Sequence, residues 1–258
     1  MYDKEMNFQI VSDLHLDNRG GLETLEEDAP IRKAPILVMA GDLASVSDPD
    51  YEEMLEAVAK PFDMVLYVPG NHEYYGSTIS TEALDKKIEE MCYSVGNVVY
   101  LNKRRIDVKG IAYIGATLWT NCPNDPEPMN DFSHINNGYF TPQYENKLHK
   151  EHREWIRRAV KSAKRDGLNG AVVITHHAPD IALQLDTTSR PSYLFPYYFA
   201  SDMTDLAHDP FIQVWVHGHT HESYRLQIDP GGTIFASNAL GYEREDTGYS
   251  KNQAVLRI

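Results

Sequence analysis

Phe211-Ile212-Gln213-Val214-Trp215-Val216-His217-Gly218-His219-Thr220-His221 is a short apolar run that leads directly into three alternating histidines. The apolar run predicts a buried β-strand. Alternating side chains project to the same side of an extended backbone, and Gly218 allows a tight turn beside a bound ion or ligand. Because neutral imidazole is a common metal ligand, the segment indicates a metal site. On its own, a solvated histidine-rich turn explains it equally well.

Four earlier apolar runs also end in side chains that can bind metals. The runs are residues 8–11, 35–40, 64–68 and 171–174, and the side chains that follow them are Asp13 with His15, Asp42, Asn71 with His72, and His176. In open α/β sheets, binding sites lie just beyond the carboxyl ends of the strands. The five strand ends therefore predict one shared site.

The chemistry of these side chains indicates which metals the site would take. A mixture of carboxylate, imidazole and amide ligands suits manganese, iron, zinc or nickel better than calcium or a thiolate-bound metal, and we favour manganese. Leaving His72 and His217 aside, the set has seven members, which exceeds the three or four ligands that one zinc ion uses. The seven are Asp13, His15, Asp42, Asn71, His176, His219 and His221. We therefore expect two divalent or trivalent transition metal ions that share one carboxylate.

The remaining pattern predicts an α/β fold in which helices alternate with the early strands. We expect helices over residues 50–60, 78–93 and 141–167, and the apolar stripe of the last helix makes Trp155 a core residue. We expect residues 18–33 to form a loop with one helical turn and residues 120–141 to be irregular. Residues 224–258 are expected to form short antiparallel strands. Residues 129–132 fit either the rim of a site or an ordinary loop, and we favour the loop.

Composition limits the classes of function. The chain has 258 residues, 42% of them hydrophobic, enough for a full core, and no apolar run approaches the ~20 residues of a membrane helix. Charged residues near the start argue against a signal peptide, and the two cysteines form no motif, so we expect a cytoplasmic protein. A formal net charge of -14 makes nucleic acid an unlikely partner.

The strand-end residues together resemble the signature of the calcineurin-like metallophosphoesterases. The matching motifs are Asp13-Leu14-His15, Gly41-Asp42, Gly70-Asn71-His72-Glu73, His176 and Gly218-His219-Thr220-His221. Residues 115–120 are also similar to a bacterial and phage-borne subgroup of that superfamily, whose substrate is unknown. The resemblance implies a four-layer α-β-β-α sandwich, two mixed sheets flanked by helices, with a dinuclear metal centre between the sheets. We expect one such domain over residues 1–258.

The resemblance also implies a role for each residue. One metal would be held by Asp13, His15, Asp42 and His221, and the other by Asp42, Asn71, His176 and His219. His72 corresponds to the histidine that contacts substrate and assists the leaving group. We expect Glu73 or Asp13 to orient the His72 ring, and Asn71 to contact substrate as well. Ser45 stands where purple acid phosphatases carry a metal-binding tyrosine, which argues against that chemistry. His177 and His217 have no counterpart in the motif and are expected to support or pack against the ligands.

The expected activity is hydrolysis of small phosphomono- or phosphodiesters. Two metal ions can activate a shared water for direct attack on phosphorus, without a covalent enzyme intermediate. The competing hypotheses are a nuclease of the same superfamily and a catalytically silent metal-binding scaffold for protein contacts.

An aromatic-rich insertion at about residues 180–209 follows the His176 strand and should therefore lie over the open end of the site. It offers Arg190 as a substrate-binding cation for phosphate. Its aromatic side chains would cover substrate, pack onto the body of the protein or form a homo-oligomer contact, and these are Tyr193, Phe195, Tyr197, Tyr198 and Phe199.

Overall fold

Two β-sheets lie face to face in the computed structural model, which describes residues 7–123, 129–183, 196–228, 230–252 and 255–258. The first sheet has the order β11-β1-β2-β3-β4. Strands β1 to β4 are parallel, and β11 is antiparallel to β1. Their bounds are β1 Asn7–Val11, β2 Ile36–Ala40, β3 Met64–Val68, β4 Val98–Tyr100 and β11 Val255–Arg257.

The second sheet has the order β5-β6-β7-β8-β10-β9. Its central strands β6, β7, β8 and β10 are parallel, whereas β5 and β9 pair antiparallel at the two edges. The bounds are β5 Arg104–Val108, β6 Ile111–Ala116, β7 Gly170–Thr175, β8 Ile212–Val216, β9 Tyr224–Gln227 and β10 Ile234–Ser237. Both sheets are therefore mixed, as expected.

Helices cover the outer face of each sheet. The helices are α1 Leu16–Arg19, α2 Leu25–Asp28, α3 Tyr51–Ala59, α4 Thr81–Val95, α5 Asn130–His134, α6 Pro142–Arg165 and α7 Thr204–Ala207, with short 3-10 turns between several of them. Helix α6 begins as predicted, with the Thr141 side chain accepting the backbone N–H of Tyr144 and proline in its first turn. No helix in the described ranges is both long and apolar enough to cross a membrane.

Three clusters of buried apolar side chains lie between the four layers and hold them together. Alternation along β2 sends Leu37 and Met39 toward α3 and α4, while Ile36 and Val38 face the second sheet. The second sheet repeats this pattern, packing its other face on α6 and α7. The predicted α-β-β-α sandwich is confirmed, and the carboxyl ends of the parallel strands of both sheets meet on one side of the molecule.

Four expectations about local structure are wrong in whole or in part. Residues 18–33 contain α1, α2 and a 3-10 turn instead of a loop with a single turn, and residues 129–132 enter helix α5. The C-terminal strands are only partly as predicted: β10 pairs antiparallel with β9 and β11 pairs antiparallel with β1, but β10 is parallel to β8. Trp155 packs against the core beneath α6, as predicted, but it is only partly buried because it also lines a surface groove with Arg105 and Arg158.

Candidate metal centre

The loops after five strands bring together all the candidate site residues that the structure describes. Strands β1, β2 and β3 of the first sheet and β7 and β8 of the second supply Asp13, His15, Asp42, Asn71, His72, His176, His219 and His221. Arg190, the remaining candidate, lies outside the described residues. Side chains from distant parts of the chain were expected to meet here, because each of them follows the carboxyl end of a strand.

One group of ligand atoms comes from the first sheet and the β8 loop. The Nε2 atoms of His15 and His221 lie 3.0 Å apart, and His221 Nε2 lies 3.6 Å from Asp13 Oδ1. The possible ligand atoms of these three buried residues are all within 4.8 Å of one another. Two ring nitrogens and a carboxylate oxygen that face one small space form a set suited to a transition metal ion.

A second group lies beside the first. His176 Nε2 is 2.9 Å from Asn71 Oδ1, 3.1 Å from His219 Nδ1 and 3.4 Å from Asp42 Oδ2. The same Asp42 oxygen is 3.7 Å from His15 Nε2 in the first group. Asp42 therefore lies between two sets of nitrogen and oxygen ligands, which is the position that a shared carboxylate requires. The donor set fits two metal ions of the kind expected.

The backbone at these loops is held in an unusual conformation. Positive φ angles between 43° and 66° occur at Asp13, His15, Asp42, His219 and His221. A side chain in the left-handed region costs about 1–3 kcal/mol, and such residues concentrate at functional sites. The structure thus turns each loop sharply enough to point these side chains into a shared space.

Two glycines make the close packing of the loops feasible. A Cβ on Gly41 would lie 2.4 Å from His176 Nδ1, and a Cβ on Gly70 would lie 2.1 Å from Asp42 Oδ1. Either methyl group would displace a candidate ligand. The glycines beside Asp42 and Asn71 are therefore required by the distance between the β2 and β3 loops.

Burial and neighbouring charges set the protonation of the ligands. Burial lowers the pKa of His15 and of His219 well below the ordinary value, so both imidazoles are neutral, the form that binds metal. Burial alone would raise the pKa of Asp42, but His176 and His72 outweigh it and hold that pKa well below its usual range. Asp42 is therefore a carboxylate, as a shared ligand must be.

His72 lies at the edge of this centre. Its backbone N–H donates to Asp42 Oδ1 at 2.9 Å, and its ring stacks on Tyr75 with centroids 4.2 Å apart. A hydrogen bond of 3.0 Å joins His72 Nε2 and the hydroxyl of Tyr242. His72 is 9% exposed, so it lies at the boundary between the buried ligands and the solvent.

The expected orienting partners of His72 are wrong. The carboxylate of Glu73 turns away from the ring and accepts the backbone N–H groups of Asp42 and Gly70, at 3.1 and 2.6 Å. It also accepts the Leu43 N–H and the Tyr67 hydroxyl, so it fastens the two loops together. Asp13 instead accepts the backbone N–H of His219 at 2.9 Å. The backbone N–H groups of the loops need acceptors, and the two side chains accept these hydrogen bonds instead of contacting the His72 ring.

Two other histidines support the ligand loops. His217 Nδ1 donates to the Gly218 carbonyl at 2.9 Å, and its Nε2 is hydrogen bonded to the Tyr224 hydroxyl. His177 packs its ring on His219, with centroids 4.3 Å apart. Both residues are fully buried. Their positions agree with the supporting role expected of them.

Part of the insertion also reaches the site. The Phe199 ring lies 5.1 Å from the His219 ring, and the Tyr198 carbonyl accepts a hydrogen bond of 3.3 Å from His219 Nε2. That bond leaves His219 Nδ1 facing His176 and Asp42. Tyr193 and Phe195 lie, like Arg190, outside the described residues, so their roles stay predictions.

Asp131 on helix α5 is a functional candidate that sequence reasoning missed. The Asn71 amide nitrogen donates to Asp131 Oδ1 at 2.8 Å, and the Tyr75 hydroxyl donates to the same oxygen. This contact orients the Asn71 amide so that its oxygen faces His176. Asp131 is 2% exposed, so residues 129–132 are not the ordinary loop that we favoured. The only signal for Asp131 in the sequence was that residues 129–132 could form part of the rim of a site.

Replacing Asp131 by alanine is expected to lower metal affinity and activity by about 10–100-fold, because the Asn71 amide loses the partner that fixes its orientation. Calorimetric titration of metal into the metal-free protein checks the affinity. Asp205→Ala, which removes a carboxylate that is 54% exposed, is the control and should match the wild type. Equal metal affinity in Asp131→Ala and the wild type would contradict the role given to Asp131.

The fold and the clustered ligands define a two-sheet α/β protein with a buried His, Asp and Asn site of the kind that binds metals. The family described as calcineurin-like phosphoesterase matches residues 6–223. The chain therefore belongs to the calcineurin-like phosphoesterase family, as the sequence motifs indicated.

The chain is similar to one curated protein and to one solved structure over nearly their whole lengths. It is 27% identical to uncharacterized protein L509 of Acanthamoeba polyphaga mimivirus, over 94% of this chain and 93% of that protein. It also resembles the crystal structure of the phosphopantetheinyl hydrolase of Mycobacterium tuberculosis, with a TM-score of 0.72, 18% identity, and coverage of 99% of this chain and 96% of that chain. The second similarity shows the fold.

Proposed function

We propose that this protein hydrolyses small phosphomono- or phosphodiesters at a dinuclear metal centre. The position of Asp42 is the observation on which the proposal rests, because one carboxylate oxygen lies within 3.4 Å of His176 and 3.7 Å of His15. Membership of a phosphoesterase family supports the reaction class. Two adjacent sets of nitrogen and oxygen ligands support the use of two ions.

The ligands divide into two sets that share Asp42. In this proposal Asp13, His15 and His221 hold one ion together with Asp42, and Asn71, His176 and His219 hold the other. Transition metal ions at these positions, with manganese favoured, would polarise the phosphoryl oxygens and lower the pKa of the attacking water. The amide of Asn71 binds without adding negative charge, which leaves a net positive site for phosphate.

His72 is proposed to contact the substrate and assist the leaving group. Its ring is held by Tyr75 on one face and by the Tyr242 hydroxyl at Nε2, so it keeps one orientation beside Asp42. A proton held on this imidazole can be passed to the departing oxygen, or its N–H can stabilise the charge that develops there. The reaction thus needs His72 most when the leaving group is a poor one.

The proposal is tested by metal analysis and a substrate panel. Purified protein is analysed for transition metals, stripped with a chelator, and assayed after addition of Mn²⁺, Fe²⁺, Zn²⁺ or Ni²⁺. The panel contains p-nitrophenyl phosphate, bis-p-nitrophenyl phosphate, alkyl esters and a phosphopantetheinyl ester. The last is included because the structurally similar protein of Mycobacterium tuberculosis is named a phosphopantetheinyl hydrolase. Protein without stoichiometric transition metal, and with activity unaffected by the chelator, would rule out the proposed centre. Protein that binds metal but hydrolyses none of the esters would favour the scaffold role.

Small substrates are expected to be turned over with little effect of salt. A formal charge of -14 repels long polyanions, whereas a compact ester needs only the local positive charge of the bound ions. Initial rates on small esters and on single- and double-stranded DNA and RNA, each from 50 to 200 mM salt, provide the measurement. Efficient nucleic-acid cleavage that falls about 10³-fold or more over that range would instead support the nuclease hypothesis.

The cytoplasm is the proposed compartment, because both cysteines are buried as free thiols, which suits a reducing environment. Self-association through residues 180–209 also remains a proposal.

A further inference from the structure

The segment of residues 241–245 contacts the candidate site although it lies beyond the family match, which ends at residue 223. It follows β10 and runs beside the end of β1. The Leu240 N–H donates to the Ser12 carbonyl at 3.1 Å, and the Gly241 N–H donates to the Asp13 carbonyl at 2.9 Å. Arg19 donates to the Gly241 carbonyl at 3.2 Å. These bonds fasten the segment directly to the loop that presents Asp13 and His15.

Tyr242 covers the side of the site that contains His72. Its hydroxyl shares the 3.0 Å hydrogen bond with His72 Nε2. Its ring lies 4.5 Å from the ring of His15 and 4.8 Å from that of His221. The residue is 39% exposed, so its outer edge faces the solvent at the open end of the site. Tyr242 therefore fixes the orientation of His72 from the side at which substrate arrives.

Glu245 holds the other histidine. Its Oε2 atom lies 2.6 Å from His221 Nδ1 and also accepts the backbone N–H of Tyr242 at 2.9 Å. A carboxylate at Nδ1 keeps the proton on that nitrogen, so that Nε2 presents a lone pair that can bind a metal. His221 Nε2 is the atom that faces His15 and Asp13. Glu245 thus selects the tautomer that can bind a metal in the first ligand set.

Gly241 provides the space that this arrangement needs. Its φ is 76°, and an added Cβ would lie 2.5 Å from Glu245 Oε2 and 2.7 Å from Thr247 Cγ2. Any larger residue would push the carboxylate away from His221. Gly248 has a similar φ of 73°, but a Cβ there would meet only Ser223, at an ordinary 3.7 Å. Both glycines have a positive φ that disfavours other residues, but only at Gly241 would an added Cβ meet Glu245.

We propose that residues 241–245 complete the site, with Tyr242 positioning the His72 imidazole and Glu245 positioning the His221 imidazole. The inference rests on the proposed phosphoesterase function. It assigns the two contacts to different steps: Glu245 acts on metal binding, and Tyr242 acts on departure of the leaving group. Replacing the two residues should therefore change different measurements.

Metal titration of the stripped protein by calorimetry with Mn²⁺ tests Glu245 without any assay of activity. Glu245→Ala should weaken one of the two binding events by about 10–100-fold, whereas Glu245→Gln, which keeps an oxygen acceptor, should remain near the wild type. Glu243→Ala, an exposed glutamate of the same segment, is the control. Wild-type affinity in Glu245→Ala, or equal losses in the alanine and glutamine variants, would overturn the role of Glu245.

The glycine pair provides an independent check of the same contact. Gly241→Ala should reduce Mn²⁺ affinity as Glu245→Ala does, while Gly248→Ala should lose only folding stability. Equal metal affinities in the two glycine variants would overturn the role of the segment in holding His221. Thermal unfolding of each metal-free variant separates loss of stability from loss of binding.

Tyr242→Phe tests the second contact, because it keeps the ring and removes the hydroxyl. Metal affinity should match the wild type, and kcat on an alkyl ester should fall roughly tenfold more than kcat on the p-nitrophenyl ester. Tyr93→Phe, at a residue that is 87% exposed on α4, is the control. Equal changes on both esters would overturn the role of Tyr242. Wild-type protein without metal-dependent hydrolysis would refute the proposed function itself, a result that the calorimetry distinguishes from failure of this inference.

Discussion

Replacing Asp42 by asparagine is expected to abolish hydrolysis and remove bound metal while the protein remains folded. Asparagine keeps an oxygen that can accept the His72 N–H, now held at 2.9 Å by Asp42 Oδ1. It cannot supply the negative charge that two cations would share. Activity should fall at least about 10³-fold, more than the loss of one transition-state hydrogen bond usually causes. Asp42→Ala should lose the same activity and also the hydrogen bond from the His72 backbone N–H.

The measurements are kcat/KM on a small ester and metal content by elemental analysis. Asp63→Asn is a suitable control, because that carboxylate is 65% exposed and pairs with Arg32. His221→Ala should weaken mainly one metal site, since His221 belongs to only one of the two proposed sets. Full metal content in Asp42→Asn would exclude the shared-carboxylate arrangement.

Replacing His72 by alanine is expected to slow alkyl esters by on the order of 10²-fold or more and p-nitrophenyl esters much less, because p-nitrophenolate leaves without a proton. The alanine variant keeps the hydrogen bond to Asp42, since the His72 backbone N–H is the donor. The Asp42 carboxylate should therefore stay in place, and metal content should be unchanged. The ratio of the two kcat values, with metal content measured alongside, is the test.

His134→Ala provides the matched control for this experiment. His134 is an exposed histidine whose ring stacks on Tyr75 at 5.2 Å, yet it does not reach the ligand clusters. Its removal should leave the ratio of the two rates unchanged. Equal losses on both esters in His72→Ala would assign His72 to phosphate binding or positioning instead of assistance to the leaving group.

The positions of the ligands followed from sequence because each depends on local structure. An apolar strand of about five residues determines where its carboxyl end falls, and parallel strands bring their carboxyl ends to the same edge. Asp42 follows β2 and His176 follows β7 directly, so no long-range contact had to be known to place them together. The alternation of strands and helices predicted an α/β fold, whereas the four α-β-β-α layers were predicted from the resemblance of the motifs to the metallophosphoesterase signature.

The residues that orient the ligands could be found only in the tertiary structure. Asp131 meets Asn71 across 60 residues of chain, and Tyr242 meets His72 across 170. No periodic pattern marks such side chains, because their contacts depend on how separate loops pack after the sheets have formed. The direction of Glu73 was likewise decided by the loop N–H groups around it. Sequence determined which residues form the candidate metal centre, and tertiary packing decided which partners hold them in place.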